Sequence, residues 1–117
     1  MGVVVLDKKA REKLLRTELN RVVSILKSDE KILKIILFGS LATGNIAGDS
    51  DIDLLIIKDT KERPVKRTEE IYQKISPNTS IDILVYNDNE LNEMEKTSSF
   101  IRKILKEGSI LYAKETC

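Results

Sequence analysis

Residues 32–57 read Ile-Leu-Lys-Ile-Ile-Leu-Phe-Gly-Ser-Leu-Ala-Thr-Gly-Asn-Ile-Ala-Gly-Asp-Ser-Asp-Ile-Asp-Leu-Leu-Ile-Ile. Two apolar, β-branched runs flank a stretch rich in glycine and polar residues. The first, 32–38, stops at Gly39 and predicts a buried strand. The second, 51–57, predicts another buried strand, opening on Asp51 and Asp53. Side chains alternate between the two faces of a strand, so these two carboxylates point the same way. Residues 44–50 are loop by composition. The connection from 38 to 51 has room for a short helix and a loop, and leaves the relative sense of the strands open.

Outward from this stretch, residues 7–28 predict an amphipathic helix. Leu14, Leu15, Leu19, Val22, Val23 and Leu26 recur at spacings of three and four, and Asp7 is placed to cap it. Pro64 fits the first turn of a helix to about Ile75, with Val65, Ile71 and Ile75 as its apolar stripe. Pro77-Asn78 marks a turn before a third strand at 80–86, whose apolar pattern is interrupted by Asp82. Residues 88–107 predict a helix capped by Asp88 or Asn89, with a break near Thr97-Ser98-Ser99. Phe100, Ile101, Ile104 and Leu105 form its core face, Gly108 ends it as a C′ glycine would, and 109–113 add a short edge strand. The predicted class is α+β, a small mixed sheet covered by helices on one side.

Composition narrows the chemistry. The chain has 117 residues, the size of one domain, with 41% hydrophobic residues to build its core. Lys and Arg number 20 against 19 Asp and Glu, so bulk attraction to nucleic acid or an anionic membrane is not expected. Histidine is absent, which removes His-based triads, bases and metal ligands. The single cysteine, Cys117, excludes a disulfide framework or cysteine metal site and reads as incidental. No stretch approaches a membrane span, and the apolar Met1–Leu6 run is too short for a signal peptide, so a cytoplasmic location is expected. Chemistry must come from carboxylates, hydroxyls, basic side chains and backbone amides.

If the third strand neighbours the second, Asp51, Asp53 and Asp82 converge. Ionised carboxylates repel one another, and a hard divalent cation, Mg²⁺ or Mn²⁺, resolves this. An Asp-x-Asp at a strand end is more often a solvated cap, but Asp82 inside an apolar strand is costly unless it is exposed or has a partner. Phe38-Gly39-Ser40 reads as a strand–turn–helix corner whose amides and hydroxyl suit a phosphate, although a plain tight turn has the same sequence. It is not a Walker A loop, because the Lys-Ser/Thr pair is missing. Together, the corner and the carboxylates describe a triphosphate–metal site for in-line transfer.

Gly39-Ser40, ten intervening residues and Asp51-Ile52-Asp53 resemble the signature of the DNA polymerase beta-like nucleotidyltransferases, with Asp82 at the place of the third carboxylate. The resemblance covers roughly 30–113, includes the Gly108-Ser-Ile-Leu-Tyr112 ending, and is nearest the minimal (MNT) group. It implies a polymerase beta-like palm fold and a single minimal nucleotidyltransferase domain over 1–117, with the N-terminal helix in 1–30 and the catalytic core in 31–117. Gly39 and Ser40 would bind the nucleotide phosphates. Asp51, Asp53 and Asp82 would be catalytic and hold two Mg²⁺ ions, or Mn²⁺, and ATP would be the donor.

MNT proteins are commonly paired with a HEPN protein as toxin and antitoxin. The resemblance therefore implies AMP transfer to a tyrosine hydroxyl of a HEPN toxin encoded by an adjacent gene. Two alternatives stand beside it. One is a non-catalytic antitoxin acting by complex formation; the other is a nucleotidyltransferase acting on a small-molecule hydroxyl. A homo-oligomer stays open, and a nucleic-acid or membrane partner is not expected. One departure bears on activity: Leu41 and Thr43 stand where many MNT members carry arginines. Lys58 is a candidate replacement cation, although an exposed strand-end lysine is its plainer reading. Tyr72, Tyr86 and Tyr112 read as core or edge aromatics rather than as acceptors of self-modification.

Overall fold

The computed structural model describes residues 7–48 and 50–115; Met1–Leu6 and Cys117 lie outside the described residues. The elements run α1 (Lys8–Leu26), β1 (Ile32–Phe38), α2 (Ser40–Thr43), β2 (Ile52–Lys58), α3 (Pro64–Ile75), β3 (Ile81–Tyr86), α4 (Asp88–Thr97), α5 (Ser99–Glu107) and β4 (Ser109–Ala113). The four strands form one sheet in the order β3-β2-β1-β4. β1 is antiparallel to β2 and to β4, while β2 and β3 are parallel. Parallel neighbours need a crossover, and α3 supplies it. The mixed sheet is as expected, and the sense left open between β1 and β2 is antiparallel.

Helices cover both faces of this sheet, not one. On one face Ile35, Leu37, Leu54, Ile56, Ile83 and Val85 pack with Leu15, Leu19, Val22 and Leu26 of α1 and Ile71 and Ile75 of α3. On the other, Ile36, Leu55 and Ile57 pack with Ile101 and Ile104 of α5. The reason lies in β1 and β2 themselves. Their apolar residues are consecutive rather than alternating, so each strand presents apolar side chains both ways and both must be covered.

Three side chains assigned to the core are exposed instead: Leu14 by 41%, Val65 by 79% and Phe100 by 54%. Charged side chains take some of the interior. Arg67 is buried on α3 and makes a two-pronged contact with Glu90, at 2.6 and 3.3 Å. Glu18 is buried on α1 and accepts hydrogen bonds from Arg21 and Asn78, tying α1 to the turn before β3. The Arg21 hydrogen bond outweighs burial and holds the Glu18 carboxyl down at about 2.

Helix ends follow local chemistry. Asp7 caps α1 by accepting from the Ala10 amide at 2.8 Å. The cap of α4 is Asn87, not Asp88 or Asn89, and it forms a reciprocal capping box with Glu90. Ser98 makes the expected break: it follows α4 and caps α5 by accepting from the Ile101 amide. Gly108 is not left-handed as a C′ glycine would be; its φ is −69°. It is small for another reason. A Cβ there would lie 2.6 Å from both the Ile104 carbonyl oxygen and Ile36 Cγ2, where α5 turns closely over β1 into β4.

Candidate active site

The C-terminal end of β1 and the N-terminal ends of β2 and β3 meet at one end of the sheet. The register places Phe38 opposite Asp53, and Asp53 beside Asp82, so the three stand in one row. Asp53 alternates with buried Ile52 and Leu54 and therefore projects on the α5 side of the sheet. Asp82 alternates with buried Ile81 and Ile83 and projects the same way. Its interruption of an apolar strand is thus explained: it is exposed, beside another carboxylate.

The carboxylates differ in their surroundings. Burial, then the charge of Asp82 and that of Asp51, pushes the Asp53 carboxyl up to about 6. Asp82 stands close enough to share a hydrogen bond with Asp53 when one of them carries a proton. Asp51 is turned to a cation, with its Oδ1 3.6 Å from Arg11 Nη2. Neither Asp53 nor Asp82 has an ion-pair partner among the described residues. Two of the three expected carboxylates are therefore brought together, while the third is held to Arg11. Among the described residues no three Asp, Glu, Cys or His side chains are gathered as a metal-holding group. The donor set nonetheless suits a hard cation. It is all carboxylate oxygen, and its inner pair carries no compensating charge.

Gly39 is fixed by this arrangement. Its φ of 75° and ψ of −157° lie in a region essentially reserved for glycine. A Cβ at this position would run into Asp53 Oδ2 and stand 3.2 Å from Asp53 Cγ. The glycine of the corner and the second aspartate of the pair thus touch in space. Ser40 opens α2, and the Gly39 carbonyl accepts from the amides of Ala42 and Thr43, both at 3.2 Å. The amides of a helix's first turn have no intrahelical partner, which leaves those of Ser40 and Leu41 for other acceptors. Leu41 is fully buried in the core, so this position serves packing, and Thr43 is exposed.

Two arginines of α1 pin the loop that carries these residues. Arg11 donates from Nε and Nη2 to the Ser50 carbonyl at 3.0 and 2.8 Å, just before β2. Arg16 donates to the Leu41 carbonyl at 3.3 Å. Lys58, the candidate replacement cation, is at the far end of β2 from Asp53. It is neither near the carboxylates nor exposed: its side chain is buried and pairs with Asp29 at 3.0 Å. Tyr72 keeps its structural reading, donating to the Ile81 carbonyl at 2.6 Å.

A cleft of about 330 Å³ opens beside Gly39, between α2 and α5. Its walls include Phe38, Thr43, Asn45, Phe100 and Lys103. Arg11 and Lys103 are the basic groups that a reading of the motifs missed. Arg11 had a signal, since it stands four residues before Leu15 and eight before Leu19, on the buried stripe of α1. Lys103 had none, being one of many lysines on a helical polar face.

The family model described as Polymerase beta, Nucleotidyltransferase matches residues 20–116. No curated protein is detectably similar in sequence. Among solved structures, a Sulfolobus solfataricus protein assigned to the nucleotidyltransferases is similar, with a TM-score of 0.66 and 19% identity over 99% of this chain and 95% of that one. A toxin–antitoxin solved with AMP-PNP gives 0.53 and 20%, over 82% of this chain and 73% of the other. A mutant of the MntA-HpeT toxin–antitoxin gives 0.54 and 21%, over 83% and 73%. At these identities the structural likeness is one of fold, whereas the family match spans most of the sequence and takes in the corner, the carboxylates and the closing strand. The chain belongs to the Polymerase beta nucleotidyltransferase family.

Proposed function

We propose that this protein is a metal-dependent adenylyltransferase that moves AMP from ATP to a tyrosine hydroxyl of a HEPN-type toxin and so acts as its antitoxin. One observation carries the reading: the unneutralised Asp53–Asp82 pair packed against Gly39, at the first turn of α2. Asp51, Asp53 and Asp82 would hold Mg²⁺, which when bound supplies the positive charge that lets carboxylates and phosphates approach. Gly39 and Ser40 would orient the β- and γ-phosphates. The acceptor oxygen forms a bond to the α-phosphorus, the bond to the pyrophosphate oxygen breaks, and the hydroxyl proton passes to the Asp82 carboxylate. The fold likeness to toxin–antitoxin structures, one of them with AMP-PNP, supports a toxin partner and an adenine nucleotide donor.

A second reading, neutralisation by complex formation alone, is favoured by one feature: Leu41 is buried and Thr43 is uncharged, so α2 offers no cation. The test is to incubate the product of the neighbouring gene with this protein, ATP and Mg²⁺, and measure its intact mass. Steps of whole AMP units that vanish with Asp53→Ala support transfer. An unchanged mass in a stable complex, with neutralisation surviving Asp53→Ala, overturns it in favour of binding.

A further inference from the structure

Phe100 is an anomaly on α5. Ile101 and Ile104 of the same helix are buried, yet this phenylalanine leaves 54% of its surface open at the mouth of the cleft beside Gly39. It is not a loose side chain. Ser98 caps the helix at that turn, and the Phe100 and Phe38 rings meet in a T-shaped contact, with centroids 5.9 Å apart and an interplanar angle of 84°. The contact holds the ring in place while more than half of its apolar surface stays uncovered. Lys103 lies three residues further on, on the same side of the helix, and also lines the cleft. It has no ion-pair partner among the described residues. Across from it, Thr43 and Asn45 bring hydrogen-bonding groups. Gly39 lines the cleft and stands against Asp53, so the cleft and the carboxylate pair border the same glycine.

We propose that this cleft is the seat of the donor's base, with Phe100 as the platform on which a nucleobase stacks and Lys103 as the cation that meets the phosphate chain running toward Gly39. The inference rests on the nucleotidyltransferase reading above and adds to it residues outside the sequence signature. Its volume of about 330 Å³ is that of a small-ligand site. A flat aromatic face recognises a base with little regard to its identity, and a lysine meets phosphate as a point charge. Lys103 would then supply the positive group that Leu41 and Thr43 do not.

The chain contains no tryptophan, so Phe100→Trp introduces a single fluorescent reporter. Its indole is expected to quench on titration with ATP and Mg²⁺, but not with inorganic tripolyphosphate and Mg²⁺, which has no base to stack. By calorimetry, Phe100→Ala should weaken ATP roughly ten-fold and leave tripolyphosphate unchanged. Lys103→Ala should weaken both by a similar factor. Because both side chains are exposed, thermal midpoints should stay near that of the unmodified protein, which separates binding from folding. ATP binding unchanged in both alanine variants overturns this subsite while leaving the nucleotidyltransferase reading standing. So does Phe100→Ala slowing transfer without weakening ATP, which would place the ring on the acceptor side. An unmodified protein that binds neither ATP nor tripolyphosphate overturns the broader reading, and this inference falls with it.

Discussion

Replacing Asp53 by Asn should make the metal-free protein more stable while abolishing transfer. The Asp53 carboxyl titrates near 6 instead of 3.8 because burial, Asp82 and Asp51 all disfavour its charge. A displacement of about two pH units corresponds to about 3 kcal/mol. Partial exposure and solvent screening reduce the stability cost of ionising it to on the order of 2 kcal/mol. The sign follows from the raised value. Stability is fully present below 3.8, where the group is protonated folded or unfolded, and is lost as pH rises through about 6. Asparagine keeps the shape, carries no charge and donates a hydrogen bond to Asp82. At pH 8 with EDTA, Asp53→Asn should therefore raise the thermal midpoint by roughly 5–10 °C for a domain of this size. The gap should close as the pH is lowered toward 4. Adding Mg²⁺ should raise the unmodified protein's midpoint and leave that of the variant in place. A variant no more stable than its parent at pH 8, or a gap indifferent to pH, would refute the argument that Asp53 is held ionised at a cost.

Other perturbations test the frame around the site. Gly39→Ala should cost about 1–3 kcal/mol in urea unfolding, because its backbone conformation excludes a side chain, and should also reduce transfer by displacing Asp53. Glu18→Gln should cost about 2 kcal/mol at neutral pH by weakening its bonds to Arg21 and Asn78. The Glu18 contribution is present above 4.5 and lost as pH falls through about 2, so the variant should lose less stability than its parent on acidification, as read by thermal melts between those limits. Arg67→Ala should cost about 3 kcal/mol in chemical denaturation, since it leaves Glu90 without its buried partner and removes the hydrogen bonds from Arg67 to the Glu62 and Val85 carbonyls.

Much of the local structure was legible in the sequence. β1, α3 and β4 have the expected bounds, and the break at Ser98 and the cap at Asp7 follow from side chains that bond to their own neighbouring backbone. The site motif was legible for the same reason, since Gly39-Ser40 sits within one turn and Asp51-Ile52-Asp53 is a contiguous run at the start of β2, with Asp51 one residue before it. Only the tertiary structure decided what crosses elements. The parallel pairing of β2 with β3 put Asp82 beside Asp53, and the antiparallel pairing of β1 with β2 put Gly39 against that same carboxylate. It also turned Asp51 toward Arg11, buried Lys58 against Asp29, and left Phe100 and Lys103 facing a cleft. Side-chain periodicity states which way a residue points from its own helix or strand. What it meets there depends on strand register and helix placement, which are set by burying all the apolar faces at once.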